Sequence, residues 1–146
     1  SVFSLGTNGN VNTSSNTYIA YCFAEKKGYS KFGSYEGNGN ANGAFIYTGF
    51  RPAMIICKIT STTANWGIAD NKRDPENVVN QVITPNLSNA EFTSSSNIVD
   101  FLSNGFKCRG DGSIYNSSGA SYIFMAFAEN PFVANDSGTA VPVVAR

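Results

Sequence analysis

The chain has 146 residues, 42% hydrophobic and 13% aromatic, which supplies one ordinary core and excludes a disordered segment. Charged residues make up only 14%, and ten basic and ten acidic side chains cancel without any run of like charge, so nucleic acid is not an expected partner. The chain contains no histidine, which removes Ser-His-Asp and Cys-His nucleophiles, histidine metal sites and histidine acid–base catalysis together.

The polar positions go to Asn, Ser, Thr and Gly, a turn-rich and β-favouring composition. No stretch approaches the roughly 18 consecutive apolar residues of a membrane span, so membrane insertion is not expected. The N-terminus lacks the basic-then-apolar layout of a signal peptide. Opening on Ser1 rather than Met, the chain reads as a processed product or a piece of something longer.

Runs of β-branched and aromatic residues bounded by Gly, Asn, Ser or Pro mark about ten short strands. In chain order they fall at 2–5, 18–25, 31–36, 44–49, 53–60, 65–70, 106–109, 113–115, 121–128 and 140–144. Asn8-Gly9 and Asp111-Gly112 suit the positive φ of tight hairpin turns. Two stretches read as short helices: DPENVVNQV, where Asp74 caps and Pro75 suits the first turn, and SNIVDFLSNG, where Ile98, Phe101 and Leu102 fall at helical spacing. The glycine-dense EGNGNANG at 36–43 precedes a β-type run rather than a helix, so it reads as a long hairpin loop and not a phosphate loop. The fold class is therefore all-β, a jelly-roll-like β-sandwich of short antiparallel strands.

The chain also repeats itself. TYIAYCFAE at 17–25 returns as SYIFMAFAE at 121–129, with Tyr18 over Tyr122 at an offset of 104 residues, and Asn12 over Asn116 and Ser14 over Ser118 extend the match. Alternation puts Tyr18, Ala20, Cys22 and Ala24 on one face and Ile19, Tyr21, Phe23 and Glu25 on the other, so both copies read as central strands apolar on two sides. The spacing matches one small sandwich. Residues 1–25 then read as the closing hairpin and strand of a preceding related module, residues 26–131 as a complete module and residues 132–146 as a tail. The other reading is one domain with internal pseudo-symmetry, residues 1–25 sharing the main core.

The three cysteines, Cys22, Cys57 and Cys108, each sit in or beside an apolar run and read as core thiols. No residue stands out as catalytic or metal-ligating and no cofactor is implied. Trp66, the sole tryptophan, is followed by Asp70, Asn71 and Arg73, an aromatic face beside polar groups that suits a sugar, although Trp66 and Ile68 on one strand face also read as core. Tyr29, Tyr35 and Tyr47 flank the glycine-rich loop and read first as strand side chains packing across a sheet, with rings offered to a ligand as the other reading. Loop tips at 37–43 and 86–97 are the expected exposed positions.

GYSKFGSYEGNGNANGAFIYTGFRPAMIICKI, NWGIADNKRD, IVDFLSNGFKCR and SYIFMAFAENPF together resemble a module found in virion proteins of marine tailed bacteriophages. The resemblance covers residues 17–132, and VFSLGTNGNVNTSSNTYIAYCFAE resembles the end of a related preceding module. It implies a virion surface location, in a tail-fibre or spike component serving host attachment. It also implies assembly as a homo-oligomer, trimers being common in fibres, and contacts with other virion proteins and host surface glycans. A capsid-decoration or fibre-assembly module is the alternative setting. It supplies no catalytic residue.

Overall fold

Strands are set here by alternation of inward and outward side chains, and most of them fall where the apolar runs do. The computed structural model describes residues 2–131. In order these form a four-residue helix α1 (Gly9–Asn12) and nine strands. The strands are β1 (Ser30–Glu36), β2 (Phe45–Tyr47), β3 (Pro52–Ile59), β4 (Gly67–Asp70), β5 (Gln81–Val82), β6 (Phe92–Thr93), β7 (Val99–Leu102), β8 (Gly105–Cys108) and β9 (Ser121–Ala128). The fold is all-β and sandwich-like, as expected. The last expected strand, 140–144, and the tail 132–146 lie outside the described residues.

A four-stranded sheet in the order β1-β9-β3-β4 faces a three-stranded sheet β2-β8-β7, with β5-β6 as a small ribbon. Every paired strand is antiparallel. Isolated pairs tie the ribbon region to both sheets, Ile68 to Ile83 on one side and Val79 to Val99 on the other. The core fills the space between the sheets with Ile55, Cys57, Ala69, Phe124 and Ala126 from the larger one and Ile46, Val99, Phe101, Phe106 and Cys108 from the smaller. Each buried Phe contributes roughly 1.5–3 kcal/mol relative to exposure.

β9 is the centre of the large sheet, hydrogen-bonded to β1 and β3. Its even-numbered residues Tyr122, Phe124 and Ala126 are buried in the core, while Ile123, Met125 and Phe127 form the outer face. Gly33 lies opposite Phe124, and a Cβ there would stand 2.9 Å from the ring, so the ring occupies the room a side chain on β1 would need. Tyr35 stacks on Tyr122 with centroids 5.0 Å apart. An outward apolar row, Phe32–Met125–Ile56–Ile68, crosses all four strands in register.

Several local expectations fail for physical reasons. Residues 2–5 and 18–25 form no strand, because the described residues offer them no ladder partner, and residues 2–25 lie outside the core. Cys22 is accordingly exposed rather than a core thiol, whereas Cys57 and Cys108 are buried and unpaired. Asn8-Gly9 makes no hairpin turn: Asn8 keeps φ −67° and caps α1, its side chain accepting the Asn10 N–H. Asp111-Gly112 likewise opens a turn spanning the expected strand 113–115, with neither residue at positive φ.

Both expected helices are absent. Asp74 does cap, but it caps a loop, accepting the N–H groups of Asn80 and Gln81 at 2.8 and 2.7 Å. SNIVDFLSNG is the β7–β8 hairpin, in which Val99 and Phe101 point into the core and Leu102 pairs with Gly105 across a two-residue turn. Alternation at 99 and 101 was as visible as the helical spacing, and the partner strand decided between them.

Candidate functional site

Asp70, Asn71 and Arg73 come together where β4 ends. Asp70 Oδ1 accepts the N–H groups of Lys72 and Arg73, and Oδ2 accepts Arg73 Nε at 2.7 Å. Burial alone would raise this carboxyl, but those backbone N–H groups and the guanidinium outweigh it and hold Asp70 below its ordinary range. Arg73 also donates to the Ile68 carbonyl and has Glu91 at 3.6 Å. Asn71 Nδ2 donates to Glu129 Oε1 at 2.7 Å, and Arg51 Nε stands 3.0 Å from Glu129 Oε2 as a charge contact without hydrogen-bond alignment. Asn71 Oδ1 and Arg73 Nη1 keep no hydrogen-bond partner among the described residues.

Trp66 does not join this corner. It precedes the other end of β4, four residues or about 13 Å from Asp70 along an extended chain. Strand alternation puts it on the outer side with Ile68, which is half-buried there, so the core reading of this pair does not hold. The Trp66 backbone N–H donates to Asn86 Oδ1, and Asn86 Nδ2 donates to Asn65 Oδ1, each at 3.0 Å.

The tyrosines separate in the same way. Tyr35 is a packing residue: its hydroxyl donates to the Tyr115 carbonyl at 2.8 Å, its ring is stacked, and burial followed by nearby thiols raises its pKa well above the ordinary value. Tyr47 is 64% exposed, and Phe45, missed in the sequence, is 47% exposed on the same side of edge strand β2. Alternate residues place the two rings roughly 7 Å apart. Beside them Lys107, register partner of Phe45, donates its amine to Asn42 Oδ1 at 2.6 Å. The signal was available in the alternation of AFIYTGF, in which Phe45 and Tyr47 flank the buried Ile46. Tyr29, 43% exposed, instead meets Phe127 edge-on at 6.3 Å.

The loop tips differ from one another. The 37–43 loop is pinned to Asn116, whose Oδ1 accepts the Asn38 N–H and whose Nδ2 donates to Asn38 Oδ1, the Asn40 carbonyl and the Gly110 carbonyl. Residues 86–93 are exposed throughout. Among the described residues no three His, Cys, Asp or Glu side chains gather as a metal site, and no helix is long and apolar enough to cross a membrane.

No curated protein and no solved structure matches the chain. A family described as a domain of unknown function, DUF7483, matches residues 1–131. With nearly the whole chain inside that match, the protein belongs to the DUF7483 family.

Proposed function

We propose that this chain is a surface module of a bacteriophage virion, part of a tail fibre or spike, which attaches to host surface glycans without covalent chemistry. The observation that carries the reading is the pair of exposed rings, Phe45 and Tyr47, on one side of edge strand β2 beside an amide and an amine. Sugars stack their apolar C–H faces on such rings and hydrogen-bond to neighbouring amides. Trp66, half-buried beside the hydrogen-bonded Asn65 and Asn86 side chains, is a second candidate contact. A surface rich in Asn, Ser and Thr with zero net charge fits neutral polysaccharide and does little to oppose homo-oligomer assembly.

The test is a glycan array probed with the purified protein. We expect binding to a host polysaccharide, weakened about five- to thirtyfold by Tyr47→Ala, in line with a lost ring contact of about 1–2 kcal/mol. Absence of any glycan binding, together with capture of the protein by phage capsids or neighbouring fibre segments, would reject attachment. That result would favour a structural or decoration module contacting only other virion proteins.

A further inference from the structure

Residues 6–18 fold, on their own, into a replica of residues 110–122. At the constant offset of 104 residues, the Asn12 and Val11 N–H groups donate to the Asn8 carbonyl at 2.9 and 3.1 Å, as Asn116 and Tyr115 donate to that of Gly112 at 2.8 and 3.2 Å. Asn16 N–H meets the Thr13 carbonyl at 3.3 Å, as Ala120 meets Ser117 at 3.3 Å. The Tyr18 hydroxyl accepts from Thr13 N–H and donates to the Gly9 carbonyl; the Tyr122 hydroxyl accepts from Ser117 N–H and donates to that of Ser113. Asn12 Nδ2 donates to the Gly6 carbonyl at 2.7 Å, as Asn116 Nδ2 does to Gly110 at 2.8 Å. Even the left-handed residue recurs, Ser15 at φ 68° and Gly119 at φ 66°.

What differs is everything these groups touch outside the replica. Asn116 is buried and grips the 37–43 loop, Gly119 N–H donates to the Gly37 carbonyl, Tyr122 stacks on Tyr35, and β9 lies between β1 and β3. Asn12 and Tyr18 are exposed, and residues 18–25 have no ladder. The asparagine and the capped tyrosine are thus preformed, and they lead into a segment, 18–25, whose two-sided apolar pattern has no neighbouring strands to pair with.

We propose that residues 6–25 are the closing element of a second body of this same fold, which precedes residue 26 in a tandem array. That body supplies β1-like and β3-like strands to either side of residues 18–25, a loop like 37–43 to Asn12, and a ring like Tyr35 to Tyr18. The order follows from the chain: the closing segment comes last in its unit, and one unit length, 104 residues, separates the two closings. Residues 26–29 then form the junction, where the Lys26 and Ser30 backbones exchange hydrogen bonds and Phe23 packs on Phe32 and Phe127 at 6.3 and 6.1 Å. This inference does not depend on glycan attachment.

The test fuses residues 26–109 ahead of residues 6–146, so that 6–25 must close the added body, and reads amide hydrogen exchange. A control fusion uses residues 110–129 at that junction before residues 26–146. In the test fusion the amides of 18–25 should exchange at least about a hundredfold more slowly than in the 146-residue chain. Ala20→Phe should add about tenfold or more, because β9 carries Phe124 at that position. A protected control beside an unprotected test fusion, with and without Ala20→Phe, overturns the proposal. So does an unprotected control, since a body and its own closing segment would then not make a unit.

Discussion

TYIAYCFAE and SYIFMAFAE share a pattern and differ in fate. The second is β9, with Tyr122, Phe124 and Ala126 sealed in the core and hydrogen bonds to a strand on each side. The first is exposed along its length and forms no ladder. Both are preceded by the same hydrogen-bonded turn, so local interactions build the approach to the strand and only neighbouring strands build the strand. A β-strand cannot satisfy its own backbone, and a two-sided apolar one needs partners in the sheet and covering layers as well.

Paired substitutions break this comparison most sharply at the tyrosines. Tyr122→Ala should cost about 4 kcal/mol in urea denaturation, whereas Tyr18→Ala should stay within about 0.5 kcal/mol. Equal effects would mean that residues 18–25 belong to the cooperative core. The asparagines come next: Asn116→Ala removes the side-chain hydrogen bonds that hold the 37–43 loop and Gly110 at a buried site and should cost about 2–3 kcal/mol, while Asn12→Ala should be nearly silent.

Asp70 sharpens the picture at the far corner of the sheet. Its folded pKa is depressed, so its contribution is present above the unfolded value and is lost as pH falls through the folded one. Asp70→Asn should lower stability by about 1 kcal/mol at neutral pH and flatten the decline of stability on acidification. Glu25 also has a lowered pKa, from the Lys31 hydrogen bond foremost, but its ion pair lies on the solvent-exposed surface, and Glu25→Gln should leave that acid profile nearly unchanged.

Thiol labelling reads the comparison without changing its packing, since Cys22 aligns with the buried Ala126. Burial raises Cys57 and pushes Cys108 up to about 12. At pH 8 one thiol per chain should react within minutes, and the other two only in denaturant. Rapid reaction of all three would contradict the core described above.

The all-β class, six of the strand positions and the repeat were legible because alternation, turn residues and self-similarity are local signals. The two-residue strands β5 and β6 were not, since they owe their existence to a partner rather than to a run of apolar residues. β7 was misread because Val99, Phe101 and Leu102 satisfy both periods, and only β8 selects one. The candidate site divides along the same line. Composition pointed to rings and amides, but Tyr35 and Tyr47 look alike in sequence, and whether a ring faces Tyr122 or solvent depends on which sheet its strand joins.

Amide hydrogen exchange on the 146-residue chain tests the central claim most directly. The amides of residues 122–127 should exchange only through global unfolding, and those of 19–24 should exchange orders of magnitude faster, at rates near those of an exposed peptide. Protection of 19–24 equal to that of 122–127 would show that the two copies share one core, and would contradict the account.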